Sequence, residues 1–400
     1  RSFSNSFAIV LDEERSASRQ VLDQFSVPSF GVGARGDATL FRSQSIELRT
    51  GFDVRHNQGQ TNERFRNLGA GFTRLRAAGG EQTIAGGFAE VAADLGRLAL
   101  TGGVRIDYWR IGDGSRREFN LETDTTNLAL IFPDRQGGIP SGRIGARWSF
   151  TEALALNVAG YTAFRIPTLN ELFRPFRVGN DITEANASLD PERLRGVDVG
   201  LSFHPFTHWQ VSARGYYNEL RDAIGNVTIG FGPGVFPVAG FVPAGGSLRE
   251  RQNIDTIRAF GLELRTGVEP VSGTHIAIAY DFTDAEISAA ADAAIIGLTP
   301  AQVARHRVSL GVSQQVQEWA RAEVTVRYVG PQFDDDLNER RLPDFISADV
   351  AIDVALSGNW HLFARAENLF DTRIVTAVSG TGLETLGTPR LFRAGIDFRY

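Results

Sequence analysis

The chain has 400 residues, with 41 basic against 47 acidic side chains. The resulting net charge of −6 gives no reason to expect nucleic acid as a partner. Cysteine is absent, which excludes a disulfide framework and any thiolate metal site, and no run of 18 apolar residues offers a helical membrane span.

Every basic residue is arginine, which reads as a genome-composition bias. Methionine is missing even at position 1, so the chain is expected to begin after processing or partway through a longer protein. The 43 glycines and 28 phenylalanines suit an all-β protein with tight turns.

Period-two alternation marks about sixteen strand candidates. They lie at 4–12, 28–41, 44–55, 82–94, 97–110, 140–150, 153–164 and 193–204, then at 207–219, 252–268, 272–284, 303–315, 318–330, 342–356, 358–370 and 389–400. The faces segregate. Arg97, Thr101, Arg105 and Asp107 oppose Leu98, Leu100, Val104, Ile106 and Tyr108. Arg321, Glu323, Thr325 and Arg327 oppose Ala320, Ala322, Val324, Val326 and Tyr328. Near the end, Asp349 and Asp353 oppose Val350, Ile352 and Val354, and Phe398 and Tyr400 close an alternating terminal strand.

The connections also alternate. Short links fall at 42–43, 95–96, 151–152, 205–206, 269–271, 316–317 and 357. Long ones fall at 13–27, 56–81, 111–139, 165–192, 220–251, 285–302, 331–341 and 371–388. A transmembrane barrel has short periplasmic turns and long extracellular loops, whereas a soluble sandwich or propeller has no reason to sort them. The fold expected is an all-β antiparallel transmembrane barrel over 1–400. Its rim aromatics are taken as Trp109, Trp148, Trp209, Trp319 and Trp360.

The segment FRIPTLNELFRPFRVGN at 164–180 breaks the alternation with prolines, arginines and phenylalanines. Phe164, Arg165, Pro167, Thr168, Leu169, Glu171 and Leu172 begin a pattern that Asn186, Leu189, Pro191 and Glu192 continue and Gly196, Asp198 and Gly200 close. RAFGLELRTGVEP at 258–270, AENLFDTR at 366–373 and GTPRLFRAGIDFRY at the end follow. As a set, these stretches resemble the C-terminal barrel portion of TonB-dependent outer-membrane receptors; residues 1–163 agree in style more than in wording.

The resemblance implies import of a scarce, bulky ligand such as a siderophore or cobalamin, powered by the TonB complex. The small-molecule ligand would be the cargo, with no resident cofactor and no enzymatic activity. It also implies a barrel of 22 strands and a plug domain carrying the TonB contact. No plug is legible in this chain, so the plug and the remaining strands are expected on preceding sequence or on a second chain. Residues 4–12 and 389–400 are then not expected to pair directly. A passive porin of sixteen strands is the alternative, and an outer-membrane hydrolase the less favoured one.

Candidate chemistry is sparse. Arg105, Asp107, Arg143, Arg147, Glu263, Arg265, Arg321, Glu323, Arg327, Arg365 and Glu367 are expected to line the lumen, facing a plug or setting ion selectivity. Phe173, Arg174, Phe176 and Arg177 are the candidate ligand-binding set on the extracellular loop, and Arg64, Arg66, Arg74 and Arg76 crowd another loop. Guanidinium forks there suit an anionic ligand or lipopolysaccharide phosphates at the rim of the lipid belt. For the motif residues Arg165 and Glu171, the expected role is ion pairing that ties the loop to the wall. His204 and His208 read as turn residues rather than a zinc pair, and no metal site is expected. Asp334, Asp335 and Asp336 read as a solvated acidic run, with Ca²⁺ binding as the competing role.

Overall fold

The computed structural model describes residues 2–11, 17–67, 69–357 and 359–398. Sixteen strands form one continuous ladder: β1 (Ser2–Val10), β2 (Ser18–Arg42), β3 (Ile46–Asn67), β4 (Phe72–Asp94), β5 (Leu98–Asn120), β6 (Arg135–Ser149), β7 (Leu154–Arg165) and β8 (Glu192–Phe206), then β9 (Trp209–Phe231), β10 (Ser247–Val268), β11 (Thr274–Ala289), β12 (His306–Gln317), β13 (Ala320–Val329), β14 (Phe345–Ser357), β15 (Trp360–Glu367) and β16 (Leu391–Phe398). Each is antiparallel to the next in this series. The seven short turns gather at one end, as the alternating link lengths require.

The register fixes the two faces. Asp53, Gly86 and Asp107 stand abreast on one face, while Val104, Ile106 and Ile144 point the other way and are about 70 % exposed. An apolar surface that open to its surroundings is a lipid-facing belt. The sheet also curls. Arg76 on β4 reaches Pro175 O at 3.0 Å while Arg251 on β10 reaches Arg174 O at 2.8 Å, so strands far apart in the ladder converge on one loop.

Glycines on the inner face accommodate aromatics from the adjacent strand. A Cβ at Gly196 would lie 2.5 Å from the Tyr161 ring, and one at Gly261 would lie 2.5 Å from the Tyr216 ring. The glycines of the G-x-D-x-G strand are therefore explained in part by close packing. The N-L-F-D turn is explained by hydrogen bonding. Asn368 (φ 46°) donates to the carbonyls of Thr372 and Thr388 at 2.9 and 3.1 Å, and Asp371 (φ 55°) accepts from Arg390 N at 2.9 Å.

Three expectations need correction. The links at 13–27, 56–81, 111–139 and 220–251 are largely strand, since β2 starts at Ser18, β3 runs to Asn67 and β4 starts at Phe72, and β5 and β9 run on to Asn120 and Phe231. Above the belt both faces meet water or other loops, so alternation fades there. On β5, a bulge at Asp113 (φ 52°) also flips the parity, so that Arg105, Asp107, Trp109 and Ile111 share the inner face below it with Arg116 and Glu118 above it. Second, Trp109 is not a rim residue. It is 6 % exposed and packs inward with Ile111, Ile139, Ile166, Leu172, Phe173 and Leu189. Trp148, Trp209, Trp319 and Trp360 are exposed. Third, Asp335 and Asp336 are buried rather than solvated.

Among the described residues no register joins β1 to β16. Tyr400 and Arg399, from the terminal pattern, lie outside the described residues.

Candidate functional site

The site is the mouth of the curled sheet at its long-loop end, where residues 166–191 fold inward. Pro167 ends β7, and Thr168 then caps the short helix α1 (Leu169–Phe173) with a capping box. Glu171 N donates to Thr168 Oγ1 at 3.2 Å and Thr168 N donates to Glu171 Oε2 at 2.7 Å. The same Glu171 carboxylate accepts from Arg165 at 2.8 and 3.1 Å, while Arg165 Nε donates to Glu192 at 2.5 Å. Glu192 in turn accepts from Ile224 N at 2.7 Å. Burial pushes the Glu171 carboxyl up, but Arg165 and the Thr168 backbone N–H outweigh it and hold the group below the usual carboxylate value.

The motif residues are thus the loop's anchor to the wall. Pro167 O accepts from Gln82 Nε2 at 2.7 Å, and Asn186 N donates to Glu171 O at 3.1 Å. Pro191 is buried beside Glu192. Arg135 completes the clamp by donating to Ala187 O and Leu189 O at 3.1 and 2.7 Å.

Phe173 is 2 % exposed and stacks on Phe132 with ring centroids 5.3 Å apart. It seats over Gly80 and Gly114, where an added Cβ would come within 2.7 and 2.4 Å of its ring. Below it runs a chain of alternating charges. Arg174 donates to Glu63 at 3.0 and 2.7 Å; Glu63 also accepts from Arg76 at 2.8 Å, and Arg76 donates to Glu118 at 2.8 Å. Arg116 then bridges Glu118 and Glu184, each at 2.6 Å. Three arginines and three glutamates alternate, so the buried network is neutral as a whole and each inner charge has opposite neighbours.

Of the four candidate ligand contacts, the structure therefore places Phe173 and Arg174 inside the loop's own packing. Phe176 is half-buried with the Arg251 guanidinium 5.2 Å from its ring centre. Arg177 is exposed, donates to Gly179 O at 2.9 Å, and lies near enough to the exposed Arg66 to feel its charge. In the neighbouring group, Arg64 lies over Phe25 at 4.8 Å and Arg74 bonds Asn120 at 2.6 Å.

A second hub, missed from sequence, joins four loops. Asp181 accepts from Ser247 N, Ser247 Oγ, Gly380 N and Arg340 Nη1 at 2.8, 2.9, 2.9 and 2.6 Å. Burial raises this carboxyl, but the two backbone N–H groups and Arg340 overcome it and hold it below the usual range. The acidic run also accepts from backbone donors, although there burial pushes the Asp334 carboxyl up. Asp334 accepts from Val378 N at 2.8 Å, Asp335 from Arg340 N at 2.9 Å, and Asp336 from Thr228 N at 2.7 Å. Asp334 and Asp336 tie separate segments together through backbone donors, and Asp335 braces its own loop. No sequence pattern announces that role, because their partners lie more than a hundred residues away in two of the hubs.

The lumen charges pair mostly across strands, with Arg105–Asp107 and Arg321–Glu323 each on one strand. Arg105 bonds Asp53 and Asp107 at 2.6 and 2.5 Å, Arg143 bonds Glu90 at 2.6 Å, Arg265 bonds Asp281 at 2.6 Å, and Arg365 bonds Asp353 at 2.7 Å. Arg327 pairs with Asp349 and Glu367 with Arg393. Looser contacts join Glu263 to Arg214 and Arg321 to Glu323, both at 3.9 Å, and Arg147 to Asn157 at 3.5 Å. His204 lies on the inner face and His208 stacks on Phe206 at the turn; no three-ligand metal cluster occurs among the described residues.

The family model for the TonB dependent receptor-like β-barrel matches residues 3–369. The chain is 24% identical over 287 residues to the vitamin B12 transporter BtuB of Photobacterium profundum, covering 71% of this chain and 40% of that protein. It is 20% identical over 303 residues to the ferrioxamine receptor of Yersinia enterocolitica, covering 74% and 38%. Among solved structures, the ferric yersiniabactin uptake receptor FyuA of Yersinia pestis superposes with TM-score 0.64 at 14% identity, over 95% of this chain and 55% of that one. The copper transporter OprC superposes with TM-score 0.68 at 19% identity, over 94% and 57%. The chain spans about two fifths of the length of the curated relatives it matches. The fold, the inward loop and the motif anchor meet in one conclusion: the chain belongs to the TonB-dependent receptor β-barrel family of the bacterial outer membrane.

Proposed function

We propose that this chain is the barrel portion of an active-transport receptor that imports a scarce, bulky chelate of the siderophore or cobalamin kind with energy from the TonB complex. The observation that carries the reading is the inward fold of residues 166–191, clamped by Arg165, Glu171 and Glu192 at the mouth of the lumen. A segment so anchored suits a mouth that selects cargo. Among the candidate loop residues, the exposed Arg177 and half-buried Phe176 are offered to an anionic or amphiphilic ligand, with the exposed Arg66 beside Arg177. The names of the similar cobalamin and ferrioxamine proteins support the substrate class.

A plug domain, on preceding sequence or a second chain, would meet the inner face and carry the TonB contact. The absence of a register between β1 and β16 among the described residues supports further strands between them, since unpaired strand edges are unfavourable in lipid. The test is uptake by cells expressing the full-length receptor, with a ferric siderophore or cobalamin as the sole source of the nutrient. Uptake should vanish when TonB is inactivated. TonB-independent uptake, together with steady large conductance in planar bilayers, would instead establish the porin reading.

A further inference from the structure

The outer face of β8 to β11 carries a charged cluster apart from the loop site. Arg193 and Arg195 on β8, Glu219 and Arg221 on β9, Arg258 on β10 and Glu286 on β11 lie side by side in register. Four arginines face two glutamates, leaving a surplus of positive charge. Arg221 donates to Glu219 at 2.7 Å and Arg258 approaches the same carboxylate at 3.7 Å. Arg195 acts on that carboxylate only through its charge, and Arg193 has no ion-pair partner among the described residues. The guanidiniums of Arg221 and Arg258 remain about half exposed, at 48% and 56%.

Position decides what this surplus can meet. Val197, Val199, Leu201, Tyr217 and Phe260 lie on the same face immediately below and are between 44% and 52% exposed, as lipid-facing side chains are. Arg195 stands one same-face step above Val197, about 7 Å along the strand. Arg193 stands one step higher, toward the long-loop end. Elsewhere on the outer face the arrangement differs. Arg110 on β5 is neutralised by Glu81 at 2.7 Å and Asp134 at 2.5 Å.

We infer that this cluster is a binding site for the phosphate groups of an outer-leaflet glycolipid, whose acyl chains lie against the apolar side chains below. Guanidinium forks match phosphate oxygens bidentately, and an anion held over an apolar wall is the charge pattern of a phosphorylated lipid. The inference is independent of the cargo imported.

The test uses the full-length receptor in detergent, titrated with bisphosphorylated lipid A and with the same lipid after its phosphates are removed. The unaltered protein should prefer the phosphorylated form at least tenfold. Arg193→Gln with Arg195→Gln should remove most of that preference, at roughly a factor of five per arginine. Arg110→Gln should leave it unchanged. Heat-modifiable gel mobility reports whether each barrel is folded; if the first pair fails to fold, Arg221→Gln with Arg258→Gln replaces it. Equal affinity for the two lipids, or a preference that survives in the folded double variant, overturns the assignment. Complete competition by inorganic phosphate at the lipid's own concentration also overturns it, by assigning the site to a free anion.

Discussion

Glu63 is the residue whose replacement most directly tests how the inward loop is held. Its side chain is fully buried and accepts three hydrogen bonds, one from Arg76 at 2.8 Å and two from Arg174 at 3.0 and 2.7 Å. Glu63→Gln keeps the volume but removes the charge. Arg76 retains Glu118, so its loss is partial. Among the described residues Arg174 has no other carboxylate partner, and it is left as a largely buried, uncompensated cation. Removing one partner of a buried pair costs about 3–5 kcal/mol. The lower end applies here, because one of the two arginines keeps a partner and an amide oxygen still accepts. A change of about 3 kcal/mol raises the open fraction of the loop roughly a hundredfold. The strand ladder should hold, since its hydrogen bonds do not depend on this pair. Hydrogen exchange followed by mass spectrometry therefore reads the effect in residues 169–178, with β6, β7 and β12 as internal standards. Unchanged protection in 169–178 would refute the latch, and uniform loss across the strands would show that Glu63 supports the barrel instead.

Three further outcomes are expected. Val350→Arg or Ile352→Arg should destabilise the membrane-inserted barrel by about 2–4 kcal/mol in a reversible-folding assay, whereas Asp353→Asn on the opposite face should cost under about 1 kcal/mol because its partner Arg365 is partly exposed; equal costs would refute the facing. Gly196→Ala should cost about 1–3 kcal/mol, because its Cβ would sit 2.5 Å from the Tyr161 ring, and the added Tyr161→Ala should recover part of that loss if the clash is its cause. Asp181, with its carboxyl below the usual range, stabilises the joined loops above an unfolded-state value of about 3.9; that contribution is lost as pH falls through the lower folded value, so exchange in 376–382 should accelerate in acid and Asp181→Asn should flatten the dependence.

The strands were legible because lipid imposes a strict contrast. Where one face meets hydrocarbon and the other a polar lumen, every second residue reports its side, as Ile346, Ala348, Val350 and Ile352 do against Ser347, Asp349 and Asp353. The contrast ends where the belt ends. HNQGQTNERF at 56–65 is strand, yet it is polar on both faces and carries no alternation. On β5 the signal is lost for a different reason: the bulge at Asp113 returns Arg116 and Glu118 to the face that Asp107 and Trp109 occupy, so a reading at fixed parity loses the strand at that point. Trp109 was misplaced for a third reason. An aromatic near the end of a membrane strand resembles an interfacial anchor, and only the inward loop, with Leu172 and Phe173 packed near it, supplies the other half of its core.

The loop site divides along similar lines. Arg165 and Glu171, six residues apart at a strand end, were expected to ion-pair, whereas Glu192, the second acceptor for Arg165, lies 27 residues on and was assigned no such role. Phe173 and Arg174 gave no such clue. A Phe-Arg pair on a long loop looks the same in sequence whether it faces a ligand or the wall, and the wall here is two glycines and a glutamate from distant upstream strands, Glu63 being 111 residues before Arg174. The acidic residues show the same limit from the opposite side. A run such as Asp334–Asp336 looks solvated because carboxylates seldom go inside, and the backbone N–H groups that permit it belong to Val378, Arg340 and Thr228. The loops above the membrane share only small apolar clusters, such as Ile182 with Val242 and Leu248, and need further links to hold together. Ionised acceptors bound to backbone donors supply strong, directional links, and Asp181 makes the loops it joins responsive to acid.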